Sequence, residues 1–311
     1  MSADSTLTAE GAPPLFILAM DHRDSLAKKV YGIAGDPTPD ERIRIAADKL
    51  AVFEGAAAAI GGLPEGRPGV LVDERYGAEV ARSARQAGFT LIMPIERSGQ
   101  DFFQLEYGGF DSSEWLDHLA RFGPDAAKVL VRDNPGFDDE KRRLQQDHLA
   151  LVSARLREAR IPLIIELLVP DASPTPTDDY DDAIRPGLTV ELLREFHAHG
   201  VEPDIWKLEG YNAALDAAMV AAAAREGGRS HVGCIVLGRD SDEPHLDHWL
   251  QVAASIDGFV GYAVGRSIWE QPLADELAGR IDGSELQRRV GESYLHYSHV
   301  YAAARRATLT E

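Results

Sequence analysis

Two lysines and a glutamate sit inside short apolar runs of this chain: Lys128 in AAKVLVRDNP, Lys207 in DIWKLEGY and Glu166 in PLIIELLVP. Charged groups are costly to place in such runs unless they are paired. Two amines flanking a carboxylate point to carbonyl chemistry. A lysine attacks a carbonyl only as the neutral amine, and burial beside a second cation moves it toward that form. The imine that results draws electrons from the neighbouring carbons, so a carbon–carbon bond can be broken or made. Lys207 is the candidate nucleophile, Lys128 the neighbouring cation and Glu166 the group that moves protons. Strand pattern alone leaves the two lysine roles exchangeable. Asp21, near the end of PLFILAMDHR, orients a hydroxyl or shares the acid–base work, and Asp73, in GVLVDERYG, is a candidate for substrate contact. A structural ion-pair network is the competing use of such a set.

A second signal is anionic. HVGCIVLGRDSDE places Gly238 and Arg239 just after one apolar run, and GYAVGRSIWE places Gly265 and Arg266 just after another. Glycine lets backbone N–H groups approach an anion, a helix starting near Ser267 adds its positive end, and arginine supplies a bidentate fork. These four residues are the candidate phosphate site. His22 and Arg23 follow Asp21 and are candidates for substrate contact, as is Arg132, which shares a strand face with Lys128. Arg75, Glu96 and Arg97 line a pocket or pair across its rim. The histidines are scattered and no H-E-x-x-H or C-x-x-C spacing occurs, so no metal and no cofactor is expected. An oxygen-ligand site from Asp21, Asp73, Glu166 and Glu209 would be opposed by the nearby lysines.

Eight strand-length runs recur along the chain: PLFILAMDHR, GVLVDERYG, TLIMPIERS, AAKVLVRDNP, PLIIELLVP, DIWKLEGY, HVGCIVLGR and GFVGYAVGR. Helical spacing follows the third to seventh, and ERIRIAADKLAVFEGAAAAIGG, after a loop over residues 30–40, supplies the first unit's helix. Eight such units in roughly 250 residues predict a (β/α)8 barrel. An open doubly wound sheet would need a glycine-rich turn after its first strand, where this chain has AMDHRDS. The expected organisation is one barrel domain over residues 1–311, with a short N-terminal extension and a helix from Ser284 to Arg306. Tyrosines on that helix cover the barrel or meet another subunit. The acidic stretch around 171–187 reads as a loop over the active face.

Strand alternation sorts the side chains. Trp206 and Leu208, Val129 and Val131, and Leu163, Ile165 and Leu167 belong outside, under the helices. Lys207, Lys128, Leu130, Arg132, Ile164 and Glu166 then face the interior, with Asp21 following Ile17 and Ala19 and Asp73 following Leu71.

The formal charge of -19 disfavours nucleic acid and anionic membrane surfaces as partners. One cysteine, Cys234, excludes an intrachain disulfide framework and fits a reducing compartment. The N-terminal residues lack a signal-peptide pattern and no run has the length of a membrane span, so a cytoplasmic protein is expected.

AMDHR, AKVLVR, IIEL, WKLEG and GYAVGR together resemble the DUF2090 domain, the 2-deoxy-5-keto-gluconate 6-phosphate aldolase module of inositol breakdown, over almost the whole chain. The same strands are more distantly similar to class I tagatose-1,6-bisphosphate aldolases. That likeness implies a class I aldolase-like TIM barrel, with Lys207 as the imine lysine in a K-x-E setting. Lys128 and Glu166 match the family's strand-four lysine and strand-five glutamate, Asp21 and Arg23 an early D-x-R, and Arg266 the phosphate arginine. The DUF2090 resemblance implies a small-molecule phosphorylated keto sugar acid as partner and its cleavage to dihydroxyacetone phosphate and malonate semialdehyde. Another phosphorylated or sulfonated ketose, a transaldolase or isomerase, and a non-catalytic sugar-phosphate-binding regulatory barrel are the alternatives. A homo-oligomer is left open.

Overall fold

The computed structural model describes residues 7–8, 11–239 and 241–310; the rest of the N-terminal extension lies outside the described residues. Eight parallel strands close on themselves in sequence order: β1 (Leu15–Ala19), β2 (Arg67–Leu71), β3 (Thr90–Pro94), β4 (Ala126–Arg132), β5 (Leu163–Leu168), β6 (Ile205–Glu209), β7 (Gly233–Leu237) and β8 (Phe259–Val264). β1 pairs with both β2 and β8, which completes the ring and excludes the open sheet. In this ring β8 stands across from β4, and β7 across from β3.

The helices α1 (Asp24–Lys29) and α2 (Pro39–Ala59) lie between β1 and β2, and α3 (Glu74–Ala84) follows β2. Then come α4 (Glu114–Phe122), α5 (Asp139–Glu158), α6 (Arg185–Ala198), α7 (Ala214–Ala224), α8 (Glu243–Ala254), α9 (Arg266–Leu277) and α10 (Gly283–Thr310). Capping sets several starts. Thr38 accepts from the Glu41 N–H while the Glu41 carboxylate accepts from the Thr38 N–H, and Asp138 accepts from the Lys141 N–H at the start of α5.

The period-two pattern sorts side chains as the strand sequences require. Phe16, Leu18, Val70, Val129, Val131, Ile165, Trp206 and Leu208 belong to the large core under the helices. A separate inner cluster holds Leu15, Ile17, Leu71, Ile92, Ala126, Ile164, Ile205 and Ile235. That plug fills the lower barrel. Two residues further along their strands, Lys128 stands above Ala126, Glu166 above Ile164 and Lys207 above Ile205. The register aligns Glu166 with both Leu130 and Lys207, so neighbouring strands deliver charged side chains at adjacent heights.

Three segments differ from the sequence reading. The loop at 30–40 is preceded by α1, a turn of helix carrying Lys29. The acidic stretch contains a π-helical turn, Tyr180–Ile184, and α6 begins already at Arg185. The hydroxyl of Tyr180 donates to backbone carbonyls at the end of β5, so this loop folds back on its own strand and none of its residues lines the cavity described below. The tyrosines of α10 are barrel cover: Tyr294 donates to the Phe16 carbonyl at 2.8 Å and Tyr301 to the Phe259 carbonyl at 3.0 Å.

Candidate active site

A cavity of about 350 Å³ opens at the C-terminal ends of the strands, with Asp21, Lys128, Glu166 and Lys207 among its lining. This is the end at which (β/α)8 barrels carry chemistry. The Lys128 ammonium reaches three carboxylates: Asp21 at 2.8 Å, Glu166 at 2.8 Å and Glu96 at 2.9 Å. The second oxygen of Glu166 meets the Lys207 nitrogen, also at 2.8 Å. One carboxylate therefore bridges the two amines. Lys128 is 1% and Lys207 5% exposed at the side chain, so both nitrogens are largely withdrawn from bulk water.

The surroundings divide the titrating groups. Burial alone would strip the proton from Lys128, but Asp21, Glu166 and Glu96 outweigh it and hold the amine well above the ordinary lysine value. Burial would raise the Asp21 carboxyl; the charges of Lys128 and Lys207 reverse that and hold it far below the usual carboxylate range. Glu166 is lowered in the same way, by the same two lysines working against burial. Glu96 goes the other way: burial raises it, and Lys128 and Arg23 only partly offset that. Burial pushes the His22 imidazole down to about 4, with the charges of Arg266 and Lys207 adding to the effect against Asp21. His22 is thus neutral near pH 7. It packs edge-on against Trp269, and its Nδ1 is buried without a hydrogen-bond partner among the described residues.

Of the candidate phosphate groups, Gly238, Gly265 and Arg266 all line the cavity, and Arg266 opens α9. The first N–H groups of a helix have no intrahelical acceptor and face an incoming anion. A side chain at Gly265 would collide with the Ala19 carbonyl oxygen, so glycine is what allows β8 and β1 to deliver this turn and Asp21 side by side. Arg239 also lines the cavity, but its guanidinium is held by Glu209 at 2.8 Å and Asp181 at 2.5 Å. That geometry places it as a tether between the acidic loop and β6, not as an open phosphate fork. Arg132 lines the cavity and donates to the Gln100 carbonyl at 3.2 Å.

Two further expectations change. Asp73 does not line this cavity. It caps α3 by accepting from the Tyr76 N–H and pairs with buried Lys49, whose ammonium also donates to the Met20 carbonyl. A helix start and a cation from α2 have drawn the carboxylate away from the interior that its strand parity suggested. Arg23 lines the cavity, yet its guanidinium turns to Glu96 at 3.3 Å and Glu106 at 3.6 Å. Glu96, which the sequence put on the pocket wall or in an ion pair across its rim, lines the cavity as a direct partner of Lys128. It lies two residues past Pro94, on the alternation that puts Ile92 in the inner cluster. Among the described residues no group of three or more His, Cys, Asp and Glu side chains is arranged to hold a metal, and no helix is long and apolar enough to cross a membrane.

A closed ring of eight parallel strands with a lysine–carboxylate–lysine set beneath the Gly265–Arg266 turn defines a (β/α)8 TIM barrel, and solved structures agree at the level of fold. Fructose-bisphosphate aldolase from Plasmodium falciparum superposes with a TM-score of 0.62 over 94% of this chain and 90% of its own, at 13% identity. The Corynebacterium glutamicum protein Cgl0159 gives 0.58 over 92% and 85%, at 16% identity. Residues 4–305 match the DUF2090 family model, described as an uncharacterized protein conserved in bacteria, and the chain belongs to that family. Tagatose 1,6-diphosphate aldolases of Listeria monocytogenes and Listeria innocua are 26% identical over 199 residues, 62% of this chain. The match spans 54% of those relatives, about half their length.

Proposed function

We propose that this chain is a class I aldolase in which Lys207 forms an imine with a phosphorylated keto sugar acid. The substrate that fits the family resemblance is 2-deoxy-5-keto-gluconate 6-phosphate, cleaved to dihydroxyacetone phosphate and malonate semialdehyde. The observation that carries this reading is the asymmetry of the two amines around Glu166. Lys128 is held as ammonium by three carboxylates, whereas among the described residues Lys207 meets Glu166 alone of the carboxylates within ion-pair reach. Lys128 is then the fixed cation, and Lys207 the amine left to attack.

The Lys207 nitrogen adds to the ketone carbon, and the resulting carbinolamine loses water with a proton supplied through Glu166. A carboxylate takes the proton of the hydroxyl two carbons from the imine. The bond between that hydroxyl-bearing carbon and the carbon next to the imine breaks, its electron pair flows into the iminium, and the aldehyde leaves. The enamine left on Lys207 takes a proton at carbon, and water then hydrolyses the imine to free the ketose phosphate. Glu166 and Asp21, both held ionised, are the acceptors for the hydroxyl proton. The protonated nitrogen is the electron sink, so this reading includes no metal or cofactor. The Gly265–Arg266 turn, Gly238 and the start of α9 hold the phosphate.

The test is reductive trapping. Borohydride added with dihydroxyacetone phosphate is expected to leave a covalent adduct that peptide mapping assigns to Lys207. An adduct on Lys128 would exchange the lysine roles, and full turnover by Lys207→Ala would end the imine mechanism. The Listeria relatives favour a second reading, a phosphorylated hexulose of the tagatose 1,6-bisphosphate type, which uses the same interior chemistry. Turnover of a panel of phosphorylated ketoses separates the two.

A further inference from the structure

The chain as a whole is acidic, with 51 Asp and Glu against 32 Lys and Arg. The cavity lining inverts this, with eight Lys and Arg against four Asp and Glu. The phosphate turn at β7 and β8 uses only part of that excess. On the opposite side of the mouth stand Arg132, at the end of β4, and Arg97, just past β3, with Lys29 of α1 on the same lining. The loop carrying Arg97 is folded onto Arg132 through the Gln100 carbonyl. The side chains of Arg97 and Lys29 are exposed to the cavity mouth and make no hydrogen bond or ion pair among the described residues. Asp24, on that same rim, is already paired with Arg75 at 3.0 Å. A cleft walled by one sign of charge concentrates the opposite sign.

We propose that Arg97 and Arg132 form a second anion subsite, which takes the charged end of the aldehyde half of the substrate, a carboxylate. This rests on the aldolase reading above. The ring order gives the geometry: β3 and β4 face β7 and β8 across the barrel, and Lys207 on β6 lies between along the wall. A ketose anchored by phosphate at the Gly265–Arg266 turn, with its carbonyl at Lys207, extends its remaining carbons toward the β3–β4 side. A planar guanidinium at that end suits a carboxylate, and the pair there discriminates acids from neutral aldehydes. Lys29 adds charge without fixed geometry.

The experiment runs the reaction in the condensing direction, with dihydroxyacetone phosphate and a set of aldehydes: malonate semialdehyde, glyceraldehyde 3-phosphate and neutral glyceraldehyde. For Arg97→Gln and Arg132→Gln, the kcat/KM preference for malonate semialdehyde over glyceraldehyde is expected to fall at least tenfold, with Arg132→Lys restoring part of it. Equal losses on both aldehydes, or none, would overturn the subsite. A larger loss for glyceraldehyde 3-phosphate than for malonate semialdehyde would replace the carboxylate with a second phosphate and overturn the assignment as stated. A second measurement is independent of turnover. Calorimetric titration with malonate, in the presence of saturating inorganic phosphate, is expected to weaken at least tenfold in the Arg97→Gln/Arg132→Gln double variant. Unchanged malonate binding rejects the subsite whatever the kinetics show. Reductive trapping with dihydroxyacetone phosphate alone reads the Lys207 chemistry, so its failure identifies an error in the aldolase reading.

Discussion

At the residue scale, like side chains are driven to unlike states by what surrounds them. Lys128 is clamped as a cation, Asp21 and Glu166 are kept ionised by the two lysines, and Glu96, a hydrogen bond away from Lys128, is raised by burial. Such divergence among neighbouring titratable groups is a mark of acid–base sites. His22 supplies the residue-scale prediction. Its folded pKa is about 4, whereas an unfolded histidine titrates near 6.5. Between those values the unfolded chain binds a proton that the folded chain does not, so stability rises with pH across the window and is lost as pH falls through it. Above about pH 7.5 the term is flat, roughly one unit past the ordinary histidine value. Asp21 and Glu166 titrate below the usual carboxylate range when folded, so their contributions disappear only as pH drops through the carboxylate region. Urea unfolding from pH 8 to pH 4 is expected to show the stability difference between wild type and His22→Gln shrinking toward acid, starting near pH 7. A pH-independent difference would mean that His22 titrates alike in the folded and unfolded chain, and a difference growing toward acid would mean that His22 is protonated in the folded protein.

At the scale of elements, strand alternation carried most of the information. Val129, Leu163, Ile165 and Trp206 could be placed under the helices because apolar and charged residues exchange faces every second position on β4, β5 and β6. Carried two residues past the last paired residue, the same rule held for Asp21 after Ala19 and failed for Asp73 after Leu71. At Asp73 a helix cap and the buried Lys49 decide direction, and neither has a period to read. The pairing of Arg239 with Asp181 was likewise hidden, because it joins positions 58 residues apart through an irregular loop. Helix α10 shows what sequence pattern does give: Tyr294 and Tyr301 fall seven residues apart, two turns of one helical face, and both hydroxyls end on strand carbonyls. Tyr294→Phe keeps the ring and removes only the donor to Phe16. It is expected to cost about 1 kcal/mol, the usual worth of one hydrogen bond, as a lowered urea midpoint with an unchanged slope. A loss of several kcal/mol would show that α10 does more than cover the barrel.

At the scale of the whole molecule, the site exists only because the ring closes. Asp21 and His22 lie just after the first strand and Gly265 and Arg266 just after the last, and the β1–β8 seam brings these two ends together. The weak point of that seam is Gly261, paired with Leu15. Its φ of 145° lies where side-chain-bearing residues are rarely found, and a Cβ there would collide with the Leu15 carbonyl oxygen. The obstacle is backbone, which no rotamer change relieves. Gly261→Ala is therefore expected to destabilise the protein by on the order of 3 kcal/mol or more, and to reduce reductive trapping at Lys207 even though Lys207 lies on β6, away from the seam. Gly238→Ala is the control. Its Cβ would meet Val264 at 3.4 Å and Ser267 at 3.5 Å, ordinary contacts, so its unfolding midpoint should stay close to wild type. If Gly261→Ala unfolds like wild type, β1 and β8 have room to separate, and the convergence of Asp21 with the Gly265–Arg266 turn does not depend on a tight seam.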